Sequence, residues 1–126
     1  MAQPIELTIP ELLPSLNAMA GRGHWTAWQR QKKLWRDWVL VAKLNQAKLY
    51  GQPKYARARI EIERHCVQRV KDADNLRSGT KHLLDALVAH GIILDDSTEH
   101  IGEPKIQQIR CPRAEQRTVI RIYPGE

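Results

Sequence analysis

Four aspartates in two short segments are the residues of this chain best suited to chemistry. Asp72 and Asp74 flank Ala73, and the adjacent pair Asp95 and Asp96 follows later in the chain. Side chains two apart on an extended backbone project to the same side, so we expect the carboxylates of Asp72 and Asp74 to do so. Two carboxylates on one face, joined by a third from a neighbouring segment, suit a hard cation such as Mg²⁺. The spacing therefore predicts a metal site.

A carboxylate-bound Mg²⁺ would allow the hydrolysis of a phosphodiester. Such an ion can activate a water molecule and stabilise the negative charge that develops on the phosphoryl oxygens. A lysine close to the scissile phosphate would add a point charge. Lys81, shortly after the first aspartate segment, is the candidate for this role.

The distribution of charge fits a polyanionic substrate. The chain has 126 residues and a net charge of +6. Residues 1–71 hold 13 Lys and Arg against 5 Asp and Glu, whereas residues 72–126 hold 7 against 9. A basic half of this kind is typical of proteins that bind nucleic acid. The candidate phosphate contacts are Arg64, Arg69, Lys71, Arg77, Lys32 and Lys33, and such contacts set affinity and salt dependence rather than sequence preference.

Composition points to a folded protein of the cytoplasm. With 42% apolar and 27% charged residues, the chain resembles ordinary globular domains. Cys66 and Cys111 have no C-x-x-C spacing, so neither a zinc site nor a disulfide framework is expected, and a reduced compartment is favoured. The N-terminus lacks the pattern of a signal peptide, and the apolar runs are too short to cross a membrane. We therefore predict a cytoplasmic location without a membrane partner.

Hydrophobic periodicity predicts alternating strands and helices. Strands are expected over residues 5–9, 55 to about 70, 105–111 and 117–123. A long amphipathic helix is expected from about residue 27 to 49, with Thr26 as its N-cap. A second helix is expected to begin at Leu76 or Thr80 and to end at His90, before Gly91. The fold class is thus α/β (α+β): a single small domain, residues 1–126, with a mixed β-sheet packed against helices.

The order of these features resembles a known family. Residues 72–76 read Asp-Ala-Asp-Asn-Leu, Lys81 follows, residues 84–87 read Leu-Asp-Ala-Leu, and residues 91–96 read Gly-Ile-Ile-Leu-Asp-Asp. This ordered block is similar to the signature of RusA-type Holliday junction resolvases, which are small phage and prophage endonucleases of DNA recombination and repair. A short strand ending in proline, an Asn-bearing loop and a long basic helix precede the block, as in that family.

The resemblance implies a homodimer that cuts paired strands of a four-way DNA junction, with Mg²⁺ in each active site and Mn²⁺ as a substitute. Carried over by position, Asp72, Asp74 and Asp96 match the metal-binding catalytic aspartates, and Asp95 is a neighbour of lesser role. Lys81 matches the catalytic lysine, because it lies four residues before Asp85 in the Leu-Asp-Ala-Leu segment.

One departure affects the lysine. In the family it follows the second aspartate of the D-x-D motif by four residues, whereas Lys81 follows Asp74 by seven. Residues 77–79, Arg-Ser-Gly, have the character of an insertion, and glycine is a poor residue for a helix interior. Either the helix starts near Thr80 and Lys81 lies in its first turn, or Arg77 has taken the lysine role.

Structural roles compete with each functional assignment. Asp-x-Asp-Asn is a common turn composition in which Asp74 or Asn75 caps a helix, and the segment from Asp95 to Thr98 also suits a turn. Two other functions are compatible with the block: a non-catalytic branched-DNA-binding protein of the same fold, and a metal-dependent nuclease with another branched-DNA or RNA target.

Overall fold

Four strands and four α-helices are present in the computed structural model, which describes residues 4–14, 24–45 and 55–125. The strands are β1 (Ile5–Ile9), β2 (Ala58–Cys66), β3 (Lys105–Arg110) and β4 (Arg117–Pro124). The helices are α1 (His24–Leu44), α2 (Ala73–Ser78), α3 (Lys81–Ala89) and α4 (Thr98–Ile101), and a 3₁₀ turn covers Arg113–Glu115.

The four strands form one mixed sheet in the order β1-β4-β2-β3. β4 pairs antiparallel with both β1 and β2, and β2 pairs parallel with β3. The β2–β3 register runs from Glu61 opposite Lys105 to Cys66 opposite Arg110. The predicted class, a small α+β domain with a mixed sheet, is confirmed.

Helices α1 and α3 cover one face of the sheet and enclose the core. Trp35 and Val39 of α1 and Leu83 and Leu87 of α3 are all fully buried. They join the inward residues of the strands in one hydrophobic cluster. Among the described residues, no helix has both the length and the apolar character needed to cross a membrane.

Three predicted element boundaries are wrong. α1 begins at His24, so Thr26 lies inside the helix and is not its N-cap. β2 stops at Cys66 rather than near Val70, because the ladder with β3 ends opposite Arg110; at the other end Tyr55 forms only an isolated bridge to Ile93. The predicted end of the first helix, near residue 49, lies outside the described residues.

The region after the first aspartates forms two helices with a break between them. Gly79 is the C-cap of α2, and Thr80 is the N-cap of α3. Lys81 is therefore the first residue of α3, as the late-start alternative predicts. The sequence predicts neither α2 as a separate helix nor α4.

Candidate functional site

Asp72 and Asp74 lie at the start of α2. Asp72 is the N-cap, and its Oδ1 accepts hydrogen bonds from the backbone N–H groups of Asp74, at 2.8 Å, and Asn75, at 3.2 Å. Asp74 is in the first helical turn, and both aspartates are exposed. The expectation that both project from an extended strand is wrong, because only Asp72 has extended dihedrals. One Asp72 oxygen thus stabilises the helix end.

Asp96 lies beside a carboxylate that the sequence did not assign to the site. Burial raises the pKa of Asp96, and a hydrogen bond with Asp85 and the charges of Asp85 and Asp95 raise it further. The chain reaches this position by turning back after α3 at Gly91, which has a φ of 73°. The carboxylates that shift the pKa of Asp96 are therefore those of Asp85 and Asp95, not those of Asp72 or Asp74.

Asp95 stabilises the turn before α4. Its Oδ1 accepts a hydrogen bond from the backbone N–H of Asp96 at 2.9 Å, and its Oδ2 lies 3.5 Å from Nδ1 of His100. That ring nitrogen is also 2.7 Å from Oγ of Ser97. These contacts give Asp95 a structural role next to Asp96.

The two candidates for the lysine role contact different carboxylates. Nζ of Lys81 lies 3.7 Å from Oδ2 of Asp85 one helical turn away, so Lys81 is linked through Asp85 to Asp96. The guanidinium of Arg77 instead lies 3.8 Å from Oε1 of Glu103, and both of those side chains are mostly exposed. Of Lys81 and Arg77, only Lys81 therefore contacts Asp85, the carboxyl group that is hydrogen-bonded to Asp96.

A buried histidine follows Lys81 in α3. His82 is 2% exposed, and its ring packs edge-on against Trp28 with the centroids 4.2 Å apart. Neither ring nitrogen has a hydrogen-bond partner among the residues that the structure describes. Burial lowers the pKa of His82; the charge of Asp85 acts to raise it, and the charges of Lys81 and Lys32 act to lower it. A neutral ring is thus favoured beside Lys81.

Carboxylates occur in two places in this region, at the start of α2 and where Asp85 meets Asp96. Within residues 4–14, 24–45 and 55–125, no group of three or more Asp, Glu, His or Cys side chains is arranged to hold a metal ion. The predicted set of Asp72, Asp74 and Asp96 thus stays a prediction.

Arg64, one of the predicted phosphate contacts, is an internal anchor. It is only 8% exposed, and its Nε donates to the carbonyl oxygen of Leu13 at 2.9 Å. One terminal nitrogen donates to the carbonyl of Gln68 at 3.1 Å and to Oε1 of Gln108 at 3.3 Å. Hydrogen bonds of this kind offset the cost of burying a charged group. Arg64 therefore connects the segment after β1, the segment after β2 and strand β3.

Two glutamines hold the segment that leads from β2 to Asp72. The side chain of Gln108 accepts from the N–H of Val70 at 2.8 Å and donates to its carbonyl at 2.9 Å, as a neighbouring strand would. The Oε1 of Gln116 accepts from the N–H of Val67 at 3.1 Å. These amide contacts replace the β-ladder where it ends, so they fix the backbone that carries Arg69 and Lys71.

A basic groove opens beside Asp72. Its volume is about 680 Å³, and we call it the Arg113 groove. Its lining includes four basic side chains and one carboxylate, which are Arg64, Arg69, Lys71, Arg113 and Asp72. Asn75 and Gln116 add amide groups to the lining. Arg113, in the 3₁₀ turn between β3 and β4, was not among the predicted contacts.

Lys32 and Lys33 lie on α1, away from this groove. Lys33 is exposed and lies 3.4 Å from Oδ2 of Asp37, an ordinary pair one helical turn apart. Lys32 is half-buried and close enough to influence the pKa of His82. The structure thus assembles Arg69 and Lys71, but not Lys32 or Lys33, around the groove.

The carboxyl pair predicts a pH-dependent stability of the metal-free protein. The pKa of Asp96 is raised in the folded state, so its contribution to stability is present at low pH and lost as the pH rises through the folded pKa. Asp96→Asn is therefore expected to raise the melting temperature in EDTA at pH 8. The gain should shrink as the pH falls toward the ordinary aspartate value of 3.8. Thermal melts between pH 8 and pH 4 measure this.

Asp37→Asn, the same chemical change on the exposed face of α1, is the control and should show no such gain. Added Mg²⁺ is expected to stabilise the wild type more than the Asp96→Asn variant, because a bound cation relieves the repulsion between the carboxylates. If the wild type is more stable than Asp96→Asn at pH 8 in EDTA, the carboxylate of Asp96 does not destabilise the folded, metal-free protein, and the prediction is wrong.

In comparisons with known proteins, no family model matches this chain and no curated protein matches it.

Proposed function

We propose that this protein is a Mg²⁺-dependent endodeoxyribonuclease of the RusA type that cuts four-way DNA junctions. The observation that carries the proposal is the position of Asp72 at the edge of a groove with three exposed basic side chains, Arg69, Lys71 and Arg113. A carboxylate that could take part in metal binding thus adjoins a surface suited to a phosphate backbone. The ordered block from Asp72 to Asp96 supports the same reading.

Asp72, Asp74 and Asp96 would hold the metal ion. Carboxylate oxygens are the donors that Mg²⁺ prefers, and Mn²⁺ would serve as a substitute. Burial is the largest cause of the raised pKa of Asp96, and the hydrogen bond with Asp85 and the charges of Asp85 and Asp95 add to it. A bound cation would reduce the repulsion among these carboxylates. When bound, the ion would activate a water molecule and stabilise charge on the phosphoryl oxygens.

Lys81 is the better candidate for the catalytic cation. Its ammonium group lies 3.7 Å from Oδ2 of Asp85, which is hydrogen-bonded to Asp96, whereas Arg77 is paired with Glu103. Lys81 would act as a point charge on the scissile phosphate or on the leaving oxygen. The exposed surroundings of Lys81, whose side chain is 59% exposed, limit the size of its effect.

Lys81→Gln is expected to lower the rate of junction cleavage about tenfold with little change in junction affinity, because one solvent-screened charge is removed near the reacting phosphate. Arg77→Gln should change the cleavage rate less than about twofold by the same argument. Single-turnover kinetics with saturating enzyme measure both variants. A larger loss in Arg77→Gln than in Lys81→Gln would transfer the lysine role to Arg77.

The assembly and location belong to the same proposal. A four-way junction offers two symmetry-related strands, so a two-fold homodimer would place one active site on each. The absence of a C-x-x-C spacing and the two lone cysteines fit a reduced cytoplasm. Sedimentation of the protein with and without junction DNA tests the dimer.

Cleavage of a labelled synthetic junction tests the activity. The wild type is expected to make symmetric nicks with Mg²⁺ or Mn²⁺ and none with EDTA. A panel of flaps, forks, linear duplexes and structured RNA tests the substrate, since preference for one of these would indicate a nuclease with another target. No metal-dependent cleavage of any of them would refute the nuclease.

A non-catalytic protein that binds branched DNA is the second candidate. It is favoured by the lack of a three-ligand group among the described residues and by the use of an Asp72 oxygen as a helix cap. Such a protein would bind the junction equally tightly with and without Mg²⁺ and would never cut it.

A further inference from the structure

The segment of residues 67–71 borders two open grooves. One is the Arg113 groove, and the other has a volume of about 700 Å³ and is lined by the same segment together with Arg110. Arg69 and Lys71 line both grooves. Arg113 lines only the first, which also contains Asp72, whereas Arg110 lines only the second. Substituting Arg113 or Arg110 therefore affects one groove and leaves the lining of the other unchanged.

The exposed cations of the Arg113 groove lack acidic partners in the part of the chain that the structure describes. Arg69, Lys71 and Arg113 form no ion pair with another residue in the described ranges. Exposed arginines elsewhere do find carboxylates: Arg59 lies 2.9 Å from Glu61. Unpaired positive charge around a concave surface attracts anions and raises their local concentration.

The backbone under these cations is fixed before any ligand binds. Gln108 holds Val70 through both its N–H and its carbonyl, and Gln116 holds the N–H of Val67. Arg64 adds a hydrogen bond to the carbonyl of Gln68. Binding to such a preorganised segment loses less conformational entropy than binding to a free loop.

We propose that the Arg113 groove binds the phosphate backbone of one DNA strand, with Arg113 as a phosphate contact that leads the strand to Asp72. The inference rests on the proposed function and adds the path of the substrate strand. Arginine, lysine and amide side chains are common donors to backbone phosphates. The groove supplies all three types, and Asp72 is the carboxylate in its lining. The second groove has no carboxylate in its lining, so we do not assign it to the reacting strand.

The test compares Arg113→Gln with Arg110→Gln. Both residues are exposed and both substitutions remove one positive charge, three positions apart in the chain. Binding of a fluorescein-labelled four-way DNA junction is measured by anisotropy in EDTA at several KCl concentrations. Arg113→Gln is expected to weaken binding about tenfold and to reduce the slope of log affinity against log salt by about one. Arg110→Gln should weaken binding less than about twofold, and thermal melts verify that both variants are folded.

Each result has a distinct reading. Equal losses in the two variants, or no loss in Arg113→Gln, would overturn the assignment of the strand to this groove, while cleavage by the wild type would leave the proposed function standing. Selective loss in Arg113→Gln with a wild type that binds and never cuts would support the groove and refute the nuclease. A wild type that binds no junction would refute both.

Discussion

Asp74→Asn is expected to lower Mg²⁺-dependent cleavage of a four-way junction at least about a hundredfold, because a bound metal ion contributes several kcal/mol to stabilising the transition state. Asparagine has nearly the same shape and keeps one oxygen, but it removes the negative charge that a hard cation requires. The loss should appear in the cleavage rate, measured in single-turnover reactions with Mg²⁺ in excess. Junction affinity in EDTA should stay the same or increase, since one negative charge near the groove is removed.

Asp74 makes a cleaner test than Asp72. One Oδ atom of Asp72 accepts two backbone hydrogen bonds at the start of α2, whereas no such bond is made by the Asp74 side chain in the described structure. Asp72→Ala would remove the cap and would cost about 1 kcal/mol of stability as well as any metal ligand. Asp72→Asn avoids this confusion, because asparagine is also a good N-cap.

The control for the aspartate variants is Asp37→Asn, which makes the same change on the exposed face of α1. This variant should cleave the junction like the wild type. If Asp74→Asn also cleaves like the wild type in a preparation free of contaminating nuclease, then the metal site is not where the ordered block puts it.

Local patterns in the sequence predict most of the sheet but not the ends of β2. The alternation of residues 5–9 predicts the bounds of β1, and the later strands are predicted within a residue. The end of β2 was predicted about four residues too late, because it depends on contacts from elsewhere in the chain. There the side chain of Gln108 replaces the strand partner of Val70, and no local pattern reveals that replacement.

The site is harder to predict, because it depends on which side chains meet. Arg64 was assigned to phosphate binding from its position near the aspartates. The period of two that buries Ala58, Ile60 and Ile62 also puts Arg64 on the buried face, so this signal was available. The meeting of Asp85 with Asp96 depends on how α3 packs and on the turn that follows it. A spacing of residues along the chain does not contain that information.

The break between α2 and α3 depends on a glycine in close contact with another loop. A Cβ atom on Gly79 would overlap the carbonyl oxygen of Pro14 and would lie 2.9 Å from its carbonyl carbon. The backbone on the Pro14 side is held by buried contacts. Leu13, next to Pro14, is fully buried, its N–H donates to Thr118 and its carbonyl accepts from Arg64.

Gly79→Ala is therefore expected to lower the free energy of unfolding by about 3 kcal/mol or more, as overpacking against a fixed backbone does in its severe cases. Helix propensity predicts the opposite sign. Gly79 has a right-handed φ of −69°, and at a position without steric conflict alanine would stabilise the chain by about 0.4–1 kcal/mol. Urea unfolding of Gly79→Ala beside Ser78→Ala, an exposed neighbour in α2, decides between the two effects.

A Gly79→Ala variant at least as stable as the wild type would show that the loop around Pro14 yields. A strongly destabilised variant would mean that Gly79 is packed against the backbone at Pro14 and fixes Lys81 at the start of α3. The longer spacing between Asp74 and Lys81 would then be part of the packed structure of this protein, and not a loose insertion that displaces the lysine.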